Sequence, residues 1–449
     1  MDKEIVKQII KESQEIKFPK IVLRDIEIPL SSQKIIAITG PRRSGKTYLL
    51  FSLMQKLISR KVLPERILYI NFDDPRILPS EAKDLEIILE SYRELYPELK
   101  DKTNYIFFDE IQNVKNWEIG LRMIYDTRSF NIFVTGSSSK LLSKDIATHL
   151  RGRAINFMIL PFSFREILLA KGIEIEEDTI YSSVRFSIIK LLDNYLDTGG
   201  FPEVVLEKNS DFKMRILKEY LETMFFKDLI ERYNVKNQAL MRELIKYLAT
   251  NISSLFSLSA FYKWIKQVYP ITKRTLINYT SALEDIGLFF LVRKFSYSLK
   301  EQVRTPRKCY ILDIGLRNVY GFKFSQDKGK VLENAVFLEL LHRQTKDPYL
   351  QIYYWQDYSK REVDFVVVRG KDIKALIQVS LETNDFKTKE REIDSLLRAS
   401  FDLKCKNLIV ITFDYDKEEK IKNRKIIFKP IWKWLLQQPH TLGQVVRSE

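Results

Sequence analysis

The sequence predicts a multidomain α/β chain, and three observations predict it. A buried strand feeds a glycine-rich phosphate-binding loop and then a helix at residues 34–58. Further apolar strands alternate with helices as far as about residue 160 and end in acidic or hydroxyl residues. Beyond them come a helical stretch, a helix–turn–helix with a hairpin, and a second strand-rich segment. The 449 residues suit two to four domains at ~100–200 residues each.

The first element in order is Lys34–Thr39, an apolar strand, followed by Gly40-Pro41-Arg42-Arg43-Ser44-Gly45-Lys46-Thr47. This is a complete GxxxxGK[ST] loop, and with only 14 glycines in the chain a chance match is rare. Tyr48 through Ile58 continues as a helix with Leu49, Leu50, Leu53 and Leu57 on its apolar side. Successive backbone N–H groups at a helix N-terminus face a phosphate, which makes residues 40–47 the expected ATP-binding loop. Lys46 is expected at the β/γ-phosphates and the Thr47 hydroxyl on Mg²⁺.

Arg66–Asn71 reads as the next strand, with Asp73 and Asp74 after it. A role at the site is open to that pair, but a capped turn before Pro75 accounts for it better. Asn104-Tyr105-Ile106-Phe107-Phe108-Asp109-Glu110 is an apolar strand ending in two carboxylates. Asp109 is expected to hold Mg²⁺ and Glu110 to polarise the attacking water. Asn131–Thr135 is a further strand ending in Gly136-Ser137-Ser138-Ser139, where a hydroxyl can sense the γ-phosphate. Ser137 is the first candidate and Thr135 the second. Leu150-Arg151-Gly152-Arg153 offers two guanidinium groups, Arg151 and Arg153, for neutralising transition-state charge in cis or across a subunit boundary. Action across a boundary implies a homo-oligomer.

These runs, GPRRSGKT, YINFDDPR, FFDEIQNV, VTGSSSKLL and LRGR with ILPFSFREI, together with DTGGFPEVV from Asp197 to Val205, resemble a family of AAA+-like ATPases of archaea and bacteria. The resemblance covers nearly the whole chain. It implies a P-loop domain, a helical segment, a winged helix and a C-terminal domain of restriction-endonuclease-like type. The implied boundaries are 1–160, 161–250, 251–324 and 325–449.

The residues themselves give similar parts. Residues 161–251 are helical in pattern, fit a lid, and show no chemistry; Phe225-Phe226 reads as core. Between 257 and 324, Ser259 can cap a helix through Val268 and Thr272 a second one, stopped at Gly287. Strands at Leu288–Phe295 and Cys309–Leu312 then flank a basic loop, which is the layout of a winged helix. This segment has 12 basic and four acidic residues, so its excess of 8 is about half of the whole. Lys273 and Arg274 open the expected recognition helix, and Arg304, Arg307 and Lys308 lie in the expected wing, so DNA is the expected partner. A winged helix used for protein packing fits the same residues.

In the last segment a helix carries Glu333, and strands carry Asp364 and then Gln378 and Ser380. The order resembles the restriction-endonuclease-like fold, whose active members place an acid and a lysine where Gln378 and Ser380 stand. Gln is a poor ligand for hard Mg²⁺ and Ser cannot act as a cationic partner, so this nuclease site is expected to be degenerate. Lys374, Lys387 and Lys389 are lysines near enough in sequence to take over the missing role.

Composition sets outer limits. Apolar residues make up 45% and charged residues 30%, and 74 Lys and Arg against 59 Asp and Glu leave +15. The excess favours an anionic partner, although Lys- and Glu-rich surfaces also mark proteins of hot-living organisms. Two cysteines exclude a disulfide framework or zinc ribbon, and three scattered histidines without HExxH spacing argue against a His-based metal site. The start, Met1-Asp2-Lys3-Glu4, lacks the apolar stretch of a signal peptide, and residues 286–292 are far too short to span a bilayer. A soluble, cytoplasmic protein with no membrane partner is expected. The expected activity is Mg²⁺-dependent ATP hydrolysis coupled to DNA through the winged helix. A nucleotide-gated protein-interaction switch, or an ATP-dependent nuclease using Glu333 and Asp364, are the other readings.

Overall fold

The computed structural model describes residues 1–136, 150, 152–175, 184–321, 328–381 and 386–437. The chain divides into two compact units, Met1–Leu160 with Asp285–Gly287, and Pro161–Glu284 with Leu288–Glu449.

The first unit is built on five parallel strands: β1 (Ile35–Thr39), β2 (Ile67–Asn71), β3 (Asn104–Asp109), β4 (Phe130–Gly136) and β5 (Ala154–Met158). Their order is β2-β3-β4-β1-β5, which leaves β1 internal and all five residues of β1 buried. Side chains alternate between faces along a strand. Ile36 and Ile38 therefore join Phe107 and Phe133 beneath the helix Lys46–Ser59, which inserts Leu49, Leu50, Leu53 and Leu57. Ile35 and Ala37 join Leu68, Ile70, Phe108 and Val134 on the other face, under helices Lys3–Gln14, Ala82–Leu95 and Trp117–Asp126. Each such fully buried side chain contributes roughly 1.5–3 kcal/mol. This two-faced burial explains the near-continuous apolar runs in the sequence.

The second unit begins with helices. Phe164–Ala170 is opened by a reciprocal cap between Ser163 and Glu166, Val184–Thr198 follows, and Ser210–Thr223 is capped by Asn209. The last runs on through a π-helical stretch, Met224–Glu231, before Gln238–Thr250. Phe225 is buried there, whereas Phe226 is 45% exposed with the Arg242 guanidinium 5.5 Å from its ring. The glycines of the 197–205 stretch have a packing reason. Gly199 has φ +77°, and a Cβ on it would sit 2.0 Å from Asp313 Oδ1. The Gly200 N–H donates to Asp313 Oδ2 at 2.6 Å, and Asp313 also caps the helix Ile314–Tyr320. Burial pushes the Asp313 carboxyl up to about 6 despite these backbone donors.

A three-stranded antiparallel sheet of β6 (Ser254–Phe256), β7 (Phe289–Val292) and β8 (Arg307–Ile311) follows, with β8 in the middle. Helices Leu258–Ile265 and Lys273–Asp285 come between β6 and β7. The first is capped by Ser257, which accepts from Ala260 N, and not by Ser259 as expected. The Thr272 hydroxyl accepts from Thr275 N at 3.2 Å at the start of the second. Between β7 and β8 lies a short helix, Leu299–Arg304, where a basic loop was expected. The Ser298–Glu301 spacing is the capping signal that announces it.

The C-terminal part holds β9 (Leu350–Gln356), β10 (Glu362–Arg369), β11 (Asp372–Val379), β12 (Leu408–Thr412), β13 (Lys417–Ile421) and β14 (Arg424–Pro430). The order is β9-β10-β11-β12-β14-β13. The first three form an antiparallel meander, and β11, β12 and β14 run parallel. Helices Lys328–Lys346 and Phe386–Asp402 flank this sheet. Among the described residues no helix is long and apolar enough to cross a membrane.

Candidate active site

The site in the first unit assembles at the carboxyl ends of the parallel strands, where open α/β sheets bind ligands. Gly40 leaves β1 against the Ile159 carbonyl, which a Cβ would meet at 2.1 Å. Gly45 caps the helix Lys46–Ser59 in the left-handed region with φ 95°, a conformation that costs glycine little. The Lys46 ammonium is buried and donates to the Pro41 carbonyl at 3.1 Å, with Glu110 Oε1 3.8 Å away. The Ser44 hydroxyl is buried and finds no hydrogen-bond partner among the described residues.

The Thr47 hydroxyl donates to Asp109 Oδ2 at 2.7 Å. Thr135 Oγ1 donates to Asp109 Oδ1 and accepts from the Glu110 N–H at 2.9 Å, and Tyr69 donates to Asp109 Oδ2 at 3.2 Å. The register explains the meeting. Phe107 on β3 pairs with Phe133 on β4, their rings stacked 4.6 Å apart, so two residues further on Asp109 and Thr135 share the same face. Burial pushes the Asp109 carboxyl up from its ordinary range, and the Thr135 and Thr47 hydroxyls pull against that. Glu110 has φ 53°, a left-handed backbone just beyond β3, and its carboxylate is held by the Gln112 amide. Thr47 and Asp109 are hard oxygen donors side by side, a donor set that fits Mg²⁺.

Other expected residues fall elsewhere. Asp74 caps the turn at Pro75–Ile77 and pairs with Arg76 at 2.7 Å, and Asp73 accepts from Asn113, which is the turn reading. Ser137 and Arg151 lie outside the described residues. Arg153 precedes β5, whose Ala154 pairs with Ile35 and whose Met158 pairs with Thr39. It thus stands at the opposite end of the sheet from the loop, about 13–17 Å away along five residues of strand. Its guanidinium lies 3.7 Å from Asp126 and over the Tyr125 ring. A role for Arg153 in cis is corrected on that ground.

Arg24 escaped the sequence reading. It donates to the Ser44 carbonyl at 2.7 Å and to the Leu160 carbonyl at 2.6 Å, holding the loop to the end of the β5 segment. It sits in a stretch without periodicity, so nothing local marked it.

In the second unit Lys273, Arg274 and Arg304 are exposed, and Arg307 lies 3.6 Å from Glu284. Lys308 overturns its expected DNA contact. It is 2% exposed, and its ammonium is 2.9 Å from Glu333 Oε1 and 2.7 Å from both Glu362 Oε1 and Asp364 Oδ1. It points inward because β8 is the middle strand and its alternate residues face the C-terminal sheet. Gln378 Oε1 accepts weakly from Asp364 N at 3.4 Å, and Ser380 is buried. Lys374 pairs with Asp372 and Lys389 with Glu419, so neither reaches Asp364; the Lys387 side chain lies outside the described residues.

Residues 32–168 match the AAA domain, 189–327 a domain of unknown function (DUF8612), and 328–434 another (DUF4143). The uncharacterized protein MJ1544 of Methanocaldococcus jannaschii is 37% identical over 446 residues, 97% of this chain and 96% of that one. The chain belongs to the MJ1544 family. An uncharacterized protein of Haemophilus influenzae is 30% identical over 407 residues, 90% of this chain and 94% of that one. Among solved structures, AMPPCP-bound DnaA from Aquifex aeolicus is similar at 13% identity and a TM-score of 0.26, covering 63% of this chain and 85% of that one. The AAA domain match at residues 32–168 gives this family member a nucleotide-binding, ATPase-like core within a mixed α/β multidomain chain.

Proposed function

We propose that the chain is a Mg²⁺-dependent ATP hydrolase. One observation carries the reading: Thr135 joins Asp109 to the backbone of Glu110 beside Lys46 and Thr47. Backbone N–H groups of residues 40–47 cradle the phosphates and Lys46 neutralises the γ-phosphoryl oxygens. Thr47 and Asp109 would hold Mg²⁺, which would supply neutralisation of phosphate charge. Glu110 orients and polarises the attacking water, released from Gln112 and Lys46 when phosphate engages the lysine. Transition-state charge is neutralised in this reading by Arg151, or by Arg153 acting across a subunit boundary.

Residues 1–160, 161–250, 251–324 and 325–449 act in this reading as ATPase core, lid, winged helix and restriction-endonuclease-like module. The exposed Lys273, Arg274 and Arg304 support DNA as the partner of the winged helix. The test is steady-state ATPase rate with and without duplex and single-stranded DNA across a salt series. Lys46→Ala abolishes turnover and Glu110→Gln slows it by 10² or more, on the order of general-base losses. Normal turnover in folded Lys46→Ala protein defeats the ATPase reading. DNA binding with no salt dependence defeats the electrostatic interface.

A further inference from the structure

The carboxylates at the carboxyl-terminal sheet invite a divalent metal, and the structure shows something else among them. Glu333 comes from the helix Lys328–Lys346, Glu362 and Asp364 from β10, and the group they surround is the Lys308 ammonium from β8. An ammonium has three N–H donors and no acceptor. Three carboxylates at 2.7–2.9 Å saturate it. Lys308 and Asp364 lie 56 positions apart in sequence.

The surroundings complete the arrangement. Asp364 uses its second oxygen to accept from the Val379 N–H at 2.8 Å. Tyr310 donates to Glu333 Oε1 at 2.6 Å, two residues along from Lys308 on the same face of β8. Its ring stacks on Phe337 at 4.3 Å, and Asn334 bonds both the N–H and the carbonyl of Ile311. A fourth acid, Glu392, faces this cluster from the helix Phe386–Asp402, with the Ser380 side chain as its hydrogen-bond partner. Burial alone pulls the Lys308 ammonium toward neutrality, but Asp364 and Glu333 outweigh it and hold the group charged. A buried charge persists only when paired in this way.

A hard divalent ion demands about six oxygen ligands, several of them water, and cannot share the centre of the cluster with an ammonium. Among the described residues no group of three or more His, Cys, Asp and Glu side chains is arranged to hold a metal ion. We propose that Lys308 is the resident cation of this cluster, occupying by covalent attachment the place of a divalent metal. The C-terminal module then takes no metal there and cleaves no phosphodiester. The same ammonium fastens the three-stranded sheet to the six-stranded one. Gln378 fits this scheme, because an additional acid at that position would add a negative charge for which the ammonium has no remaining proton.

The test is Mn²⁺ binding to the full chain without nucleotide, read by electron paramagnetic resonance. Asp364→Asn leaves the Mn²⁺ stoichiometry of the otherwise unaltered protein unchanged. Lys308→Met, which keeps the length of the stem and removes the charge, gains one Mn²⁺ per chain, and Lys308→Met with Asp364→Asn loses it again. A Mn²⁺ ion that disappears with Asp364→Asn alone overturns the proposal, as does a folded Lys308→Met chain that gains none. If Lys308→Met does not fold, the comparison of the unaltered chain with Asp364→Asn still decides the matter.

Discussion

Replacing Thr135 with valine keeps the shape of the side chain and deletes its hydroxyl. That hydroxyl donates to Asp109 Oδ1 and accepts from Glu110 N at 2.9 Å. A hydrogen bond to a charged group is worth about 1.5–3 kcal/mol, and a stranded, partly buried N–H costs about 1–3 kcal/mol. Their partial overlap puts the loss near 3 kcal/mol, or about 6–12 °C in the melting temperature of a unit of this size. Catalysis suffers separately. Asp109 keeps the Thr47 and Tyr69 hydroxyls, but Glu110 loses the tie that fixes its backbone. Misplacing a catalytic group by about 1 Å costs on the order of 10²-fold. The expected result is a 10- to 100-fold fall in kcat with little change in KM for ATP. Thr135→Ser, which restores the hydroxyl, recovers most of it. Because the Thr135 bond lowers the Asp109 pKa, its removal also moves the acid limb of the pH–rate profile upward. A folded Thr135→Val enzyme with wild-type kcat and an unmoved acid limb refutes the positioning role.

Two further outcomes follow from contacts already described. Gly40→Ala places a methyl 2.1 Å from the Ile159 carbonyl, so the loop must move. ATP affinity then falls by 10-fold or more, read by titration with a fluorescent nucleotide, and unaltered affinity sinks the account of the loop. Asp313 has its pKa raised to about 6 from 3.8, so its contribution to stability is full below about 3.8 and lost as pH rises through about 6. Two pKa units correspond to about 3 kcal/mol, so Asp313→Asn gains on the wild type by that much between pH 4 and pH 7, measured as a difference in melting temperature. A constant difference across that range contradicts the buried-acid assignment.

Much of the nucleotide site was legible because its signals are local. The strand, the glycines and Lys46–Thr47 are contiguous, and Asp109-Glu110 closes an apolar run. Thr135 is the second hydroxyl candidate at the end of β4, after Ser137, and strand alternation puts it on the face of Phe133. Register between β3 and β4 was the missing quantity. Arg24 and Lys308 belong to a different class. Each acts on backbone or side chains far away in sequence, Lys308 across 56 positions to Asp364. A lysine beside Arg304 and Arg307 reads as one more surface charge until the middle position of β8 turns it inward. That Gln378 and Ser380 are neutral residues is plain from the sequence; that the Lys308 ammonium lies among Glu333, Glu362 and Asp364 is not.

The strand order carries a consequence for how the protein is made. β1 emerges from the ribosome well before its neighbours β4 and β5, and the Thr39 carbonyl accepts from Ile159 N at 2.7 Å. About 120 residues must be synthesised between the two. At 5–20 residues per second this is a wait on the order of 6–24 seconds. Until β4 is made β1 has no paired neighbour, and until the segment after β5 is made the GPRRSGKT loop lacks the Ile159 contact that shapes it. Nascent chains arrested before residue 130 should therefore be blind to nucleotide, while chains extended beyond residue 160 become able to use it as a folding ligand.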